Sequence, residues 1–171
     1  SIIPPAADAI FTPADDEAIE NIKEQYSSGK SYFLFHVTPA TATHTITMLK
    51  AFSIFKKWQK SNMQLLVLFA DEIENPVIKE LSTYKYRDDV KLIYGISKTE
   101  IARITAAAYT AIYLPSAYVY ETNGINDLAA AVPLIVADHA FCKSRFGAAP
   151  FYTAVNETSI AELMMLLYKD E

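Results

Sequence analysis

Short apolar runs recur along this chain, and each is followed by a segment with helical periodicity or turn residues. Strands that are apolar on both faces must be covered on both faces, and parallel strands need a crossover, usually a helix. The pattern therefore predicts an α/β fold: a Rossmann-like three-layer domain with a parallel sheet of about five to six strands and helices on both faces. The predicted strands are Tyr32–Phe35, Gln64–Phe69, Val90–Tyr94, Ala111–Leu114 and Pro133–Ala137, with Phe151–Ala154 as a shorter candidate.

Capping residues mark several predicted helices. Thr12 followed by Pro13 is typical of an N-cap and a first helical position. Ser97 with Glu100, and Ser159 with Glu162, have the spacing of capping boxes. Further helices are predicted around 46–61, 76–81 and 127–131.

Composition limits the classes of function. The chain has 171 residues, a formal charge of −5 and no apolar run of membrane-spanning length, so neither nucleic acid nor a transmembrane segment is expected. One cysteine and three histidines exclude a disulfide framework and offer no zinc spacing, which favours a cytoplasmic location. We expect residues 1–30 to form an interdomain linker and a leading helix, and residues 31–171 to form the domain. The Pro-rich start without Met suggests a piece of a longer protein.

In an open parallel sheet, ligands bind at the carboxyl ends of the strands. Four segments should lie there: His36–His44, Ala70–Asn75, Gly95–Ser97 and Pro115–Asn126. The first contains no Lys, Arg or Gly, although phosphate contacts are usually found after the first strand. The fourth is polar and precedes a helix, so its amides are candidates for phosphate or sugar hydroxyls; a solvated turn is the alternative.

Several side chains in these segments have suitable chemistry. His36 is a candidate general base or phosphate contact, and His44 and His139 are weaker ones, since a loop histidine is often only a polar residue. Glu121, like His36, is a candidate catalytic residue, and Glu121 and Asp127 are candidate acceptors for sugar hydroxyls. Lys143 and Arg145 could face a diphosphate, although a helix-surface role is the simpler interpretation. The Lys56–Lys60 cluster is interpreted as a solvated helix end.

Motifs of other enzyme classes are absent. The sequence has no G-x-G-x-x-G, no Walker loop and no G-x-S-x-G elbow, and Cys142 has no nucleophile motif around it.

Four stretches together carry a resemblance. Ile2–Pro13 ends in a Phe-x-Pro, Val90–Ser116 combines a strand, a Gly-x-Ile-Ser turn, a helix and a strand ending in Pro-Ser, and Val132–Asp138 forms the next strand. With Tyr32–Phe35 and its following helix, this order resembles the C-terminal, donor-binding domain of the group 1 glycosyltransferases. That family is retaining and has two Rossmann-like domains.

The resemblance implies a nucleotide-diphosphosugar donor, with no cofactor and no metal beyond it. The resemblance also places the base of the nucleotide near Gly95 and Ile96. The family's loop Gly-Arg-x-x-x-x-Lys aligns its two cations with Thr38 and Thr43, so both diphosphate contacts are replaced. Losing two charge-assisted contacts, at about 1.5–3 kcal/mol each, should weaken diphosphate binding by orders of magnitude.

The family's paired acids, Glu, seven residues, Glu, are also altered. One alignment keeps Glu121 and leaves Asp127 as second acid; another, counted back from Pro133, places the acids at Tyr118 and Asn126. The resemblance implies sugar and ribose contacts in this segment, at Glu121, Thr122, Asn123, Gly124 and Asp127.

Three hypotheses follow. In the first, this is the C-terminal domain of a glycosyltransferase that transfers a hexosyl group, with an N-terminal Rossmann-like acceptor domain as its partner and no activity of its own. In the second, it is a degenerate, non-catalytic structural or interaction module. In the third, it binds a different, less charged ligand.

Overall fold

A computed structural model describes residues 6–69, 80–118 and 121–169. Its centre is a six-stranded sheet in the order β3-β2-β1-β4-β5-β6, and every pair of neighbouring strands is parallel. The predicted fold class is therefore confirmed, including the short sixth strand. The strands are β1 Tyr32–Val37, β2 Gln64–Phe69, β3 Val90–Ile93, β4 Thr110–Tyr113, β5 Leu134–Ala137 and β6 Phe151–Thr153.

Helices connect these strands. They are α1 Asp16–Ser27, α2 Thr45–Gln59, α3 Lys98–Ala106, α4 Asn123–Ala129, α5 Ala140–Phe146 and α6 Glu157–Lys169. Among the described residues, none of the helices has the length and apolarity needed to cross a bilayer.

Alternate residues of β1 point to opposite faces of the sheet, and both faces are apolar. Phe33 and Phe35 pack with residues of α2 and α6, while Tyr32 and Leu34 pack with Ile22 of α1 and with α3, α4 and α5. Helices therefore cover both faces, which explains why the strands lack polar alternation.

Two predicted helix starts are wrong because a nearby residue caps the helix instead. The first helix begins at Asp16, not near Thr12, because the Asp15 side chain accepts from Ala18 N at 2.8 Å. The last is capped by Asn156 Oδ1, which accepts from Ser159 N at 2.8 Å. Ser97 is the predicted cap of α3 and accepts from Glu100 N, but the Glu100 carboxylate bonds Tyr26 instead of completing a capping box.

Two other differences concern whole segments. Helix α4 begins at Asn123 and not near 127 as predicted, so the last part of the polar segment 115–126 is helical. Helix α5 had no counterpart among the predicted helices. The predicted helix 76–81 lies largely outside the described residues, as does the Ala70–Asn75 segment.

Candidate functional site

The loop between β1 and α2 is closed by hydrogen bonds within itself. Thr41 is fully buried, and its Oγ1 donates to His36 O at 2.6 Å while accepting from Thr38 N at 2.9 Å. Thr38 O accepts from the amides of Thr41 and Ala42, and Thr38 Oγ1 accepts from Ala40 N at 3.2 Å. Pro39 has no amide hydrogen. The amides of 38 and 40–42 therefore already have partners, and the turn presents none of them to a phosphate.

The two threonines that align with the family's cations lie in different surroundings. Thr38 is buried, with 6% of its surface exposed, whereas Thr43 is exposed. His36 and Val37, assigned to the loop from sequence, form the end of β1. A cation at position 43 would reach solvent, but one at 38 would require the turn to open.

The loops that follow β1 and β4 are joined to each other. Ser116 donates to Ala40 O through both its amide, at 2.8 Å, and its hydroxyl, at 2.9 Å. β1 and β4 are adjacent strands whose connections leave in opposite directions along the sheet, which is where an open α/β sheet forms its ligand crevice. These two hydrogen bonds hold the loop after β1 against the loop after β4 at the crevice.

Glu121 and Thr122 precede α4 at the same edge. A Glu121 carboxylate oxygen accepts from the Tyr113 hydroxyl at 3.2 Å. Burial, together with the Glu121 charge, raises the pKa of Tyr113, so this hydroxyl stays protonated and donates. Glu121 and Asn123 are only partly buried, so both retain surface for a ligand.

Asn126, one of the two candidate positions for the second acid, is already engaged. Its Oδ1 accepts from Asp8 N at 2.9 Å, and its Nδ2 donates to Thr122 Oγ1 at 3.1 Å. The segment before α1, which contains Asp8, is thus attached to α4. The ion pair between Asp8 and Lys98 also attaches this segment to α3.

Asp127, the other candidate acid, is fully buried and faces His36. Asp127 Oδ1 lies 3.3 Å from His36 Nε2, and the two side chains are 1% and 7% exposed. The predicted general base and the predicted sugar contact are therefore brought together, but as a buried pair joining β1 to α4. Both remain predictions as functional residues, and each would have to become accessible to act.

Gly124 is required by packing. A Cβ built there would lie 2.8 Å from Phe146 Cζ and 3.1 Å from Tyr113 Cδ1. The glycine lets α4 lie directly against these two rings.

Gly95 and Ile96 follow β3 at the same edge. Gly95 has φ +63°, is exposed and has open space where a Cβ would be, and Ile96 is half-buried. Gly95 adopts the left-handed conformation two residues before the N-cap of α3, which turns the chain sharply here. The turn is accessible at the position predicted for the nucleotide base.

The remaining candidates lie around the end of β5. Burial, and to a lesser extent the charge of His139, lowers the pKa of His44. The His139 ring stacks on Phe141 at 5.2 Å between centroids. Lys143 Nζ lies 2.6 Å from Asp138 Oδ1, and the Arg145 guanidinium lies 5.5 Å from the Phe146 ring. In the described parts of the chain, no three His, Cys, Asp or Glu side chains converge as metal ligands.

Three residues important to this edge were missed from the sequence: Thr41, Tyr113 and Ser116. Thr41 and Ser116 have only the signal that Ser and Thr close turns through side-chain bonds to the backbone. The Tyr113 hydroxyl faces Glu121 because of tertiary packing, which no local pattern reveals.

No protein-family model matches the sequence, and no curated protein matches it significantly. Solved structures do match. HepE from Anabaena, in complex with UDP and glucose, has a TM-score of 0.77 at 13% identity, over 99% of this chain and 47% of HepE. The C-terminal domain of LpcC, a group 1 family glycosyl transferase from Francisella tularensis, has a TM-score of 0.74 at 13% identity, over 97% of this chain and 89% of that one.

WaaG, a glycosyltransferase involved in lipopolysaccharide biosynthesis, has a TM-score of 0.72 at 18% identity, over 99% of this chain and 48% of WaaG. The chain thus spans about half the length of HepE and WaaG. The chain therefore has the Rossmann-like α/β fold that is found in these glycosyltransferase structures. The resemblance found in the sequence to the C-terminal domain of group 1 glycosyltransferases is confirmed at the level of the fold.

Proposed function

We propose that this chain is the C-terminal, donor-side domain of a two-domain glycosyltransferase that transfers a hexosyl group from a nucleotide diphosphosugar. The observation that carries the proposal is that Gly95 and Ile96, after β3, and Glu121, after β4, have accessible surface at the carboxyl edge of the sheet, the edge at which the β1/β4 crevice lies. The base would lie against Gly95 and Ile96, and Glu121 would accept hydrogen bonds from sugar hydroxyls. The nucleotide sugar is a substrate, and no cofactor is proposed.

The isolated domain would be inactive, because the acceptor would be held by an N-terminal domain across the cleft. Donor binding would also be weak. The positions of the family's two cations are Thr38 and Thr43, so the diphosphate would lack its charge-assisted contacts.

A second candidate function is a non-catalytic structural or interaction module. Two observations favour it. The amides of the turn at Thr38–Thr41 already have partners within the turn, and both candidates for the second acid, Asn126 and Asp127, are bonded to other residues of the chain. This candidate requires only the fold, not the crevice.

Titration with UDP, GDP and their hexose conjugates, followed by thermal shift and calorimetry, separates the two. A ligand that binds the native state must raise its apparent stability. The first candidate predicts a saturable shift with at least one ligand at millimolar concentration, reduced in Glu121→Ala for the sugar conjugate more than for the free nucleotide. No shift with any of them would eliminate donor binding and leave the structural module.

A further inference from the structure

A basic hollow lies at the amino edge of the sheet, opposite the candidate donor site. Helix α2 ends at Gln59 just before β2 begins, and the turn 85–89 lies just before β3, so both segments meet at this edge. Between them is a hollow of about 470 Å³. It is lined by Lys56, Lys57, Lys60, Lys85, Tyr86 and Asp89.

The carboxylate in the hollow is neutralised by the protein. The Lys56 side chain is 6% exposed, and its Nζ lies 3.0 Å from Asp89 Oδ2 while donating to Met63 O at 3.1 Å. Lys30 Nζ lies 4.0 Å from Asp89 Oδ1. Lys56 and Asp89 form the floor of the hollow, and the Asp89 side chain, although 24% exposed, is already paired and does not cancel the charges at the rim.

Three lysines remain at the rim. Lys57, Lys60 and Lys85 are exposed, and none of them pairs with a carboxylate in the described part of the chain. Lysines at the end of α2 interact favourably with the helix dipole, which explains Lys57 and Lys60. It does not explain Lys85, which lies in the turn before β3. Like charges brought together from two segments repel, and they do so here in a chain whose formal charge is −5.

We infer that this hollow binds phosphate groups. Ammonium groups bind phosphate as point charges, and three around one hollow provide several charge-assisted contacts. The phosphate could belong to an anionic lipid headgroup or to a soluble molecule. Trp58 beside the hollow is 68% exposed and has Lys57 Nζ at 5.8 Å from its ring, so an indole is available to enter a membrane interface.

Two measurements test the site. The first is cosedimentation with phosphatidylcholine vesicles with and without phosphatidylserine, and the second is a calorimetric titration with pyrophosphate. Binding to vesicles that contain phosphatidylserine, without binding to pure phosphatidylcholine vesicles or to pyrophosphate, assigns the phosphate to a lipid headgroup. Binding of pyrophosphate assigns it to a soluble molecule. Either supports the inference, and either must weaken as salt is added.

The decisive variant is Lys57→Gln/Lys60→Gln/Lys85→Gln, because these lysines are exposed and their loss leaves the Lys56–Asp89 pair intact. Vesicle affinity should fall about 100-fold, at about fivefold per lysine. Lys50→Gln/Arg103→Gln/Lys169→Gln changes the net charge equally at other exposed sites and should bind as the native chain does. Binding of neither probe, or equal losses in the two variants, would overturn the inference.

This inference does not depend on the proposed function, and the same variants keep the two apart. A nucleotide also carries phosphates, so a shift with UDP that disappears in the Lys57/Lys60/Lys85 variant reports the hollow. A shift that survives there reports the crevice.

Discussion

Thr41 is the residue that closes the β1–α2 turn. Its hydroxyl bonds a carbonyl on one side and an amide on the other, at 2.6 and 2.9 Å, with no access to solvent. Because a buried polar group without a partner costs far more than an exposed one, this side chain keeps the turn in its closed form.

Replacing Thr41 with Val should destabilise the domain by about 1–3 kcal/mol, since the isosteric side chain leaves His36 O and Thr38 N without their partner. Urea unfolding measures the change. Thr43→Val is the matched control and, because Thr43 is exposed, should stay within about 0.5 kcal/mol of the native chain. Equal effects in the two variants would contradict the role given to Thr41.

Cys142 is the second residue with a measurable consequence. It is buried, and burial raises the pKa of its thiol from an ordinary 9.0 to about 11. At pH 8 the thiolate is therefore about 100-fold scarcer than in the unfolded chain. Alkylation by iodoacetamide should be slower in the native protein than in urea by at least about that factor.

The same shift predicts a pH dependence of stability. The folded state keeps the thiol proton after the unfolded chain has released it, so this contribution is present below pH 9 and is lost as the pH rises through about 11. Unfolding of Cys142→Ala, compared between pH 8 and pH 11, should show a smaller loss of stability than the native chain. Rapid native alkylation at pH 8 would contradict both statements.

At the scale of elements, α4 depends on its contact with α5. Gly124 in the first turn of α4 lies against Phe146 at the end of α5, with no room for a methyl group between them.

Gly124→Ala should therefore destabilise the fold by about 1 kcal/mol or more, although alanine is the better helix former by about the same amount. The two effects separate in a double-mutant cycle. In a Phe146→Leu background the ring is gone, so Gly124→Ala should cost less there, by at least about 0.5 kcal/mol. If the cost were the same in both backgrounds, the contact would not be its cause.

The sequence predicted the strands better than the helix ends. Gln64–Phe69 was predicted with both boundaries, because an uninterrupted apolar run has few other ways to be buried. Thr12 and Asp15 both resemble caps, and only the backbone geometry selects Asp15. The sequence could not assign the second acid of the family's motif. The side chains of Asn126 and Asp127 contact Asp8 and His36, which are distant in sequence, so no local pattern reveals these contacts.

At the scale of the whole molecule, the two edges of the sheet differ in chemistry. The carboxyl edge has a closed turn, a buried His36–Asp127 pair and a few accessible groups. The amino edge has a hollow with three lysines free of carboxylate partners among the described residues. Donor binding and phosphate binding are therefore expected at opposite ends of the strands.

The most direct test of the donor-side assignment is a nitrogen–proton correlation spectrum of the labelled chain during separate titrations with UDP and with GDP. With at least one of the two nucleotides, the amides of Gly95, Ile96 and Thr122–Gly124 should shift together and saturate at millimolar concentration, while those of the Thr38–Thr41 turn move little. The Lys57/Lys60/Lys85 variant should show the same shifts. A spectrum unchanged at this edge with both nucleotides, or shifts confined to the lysine hollow, would contradict the assignment of this domain as the donor side of a glycosyltransferase.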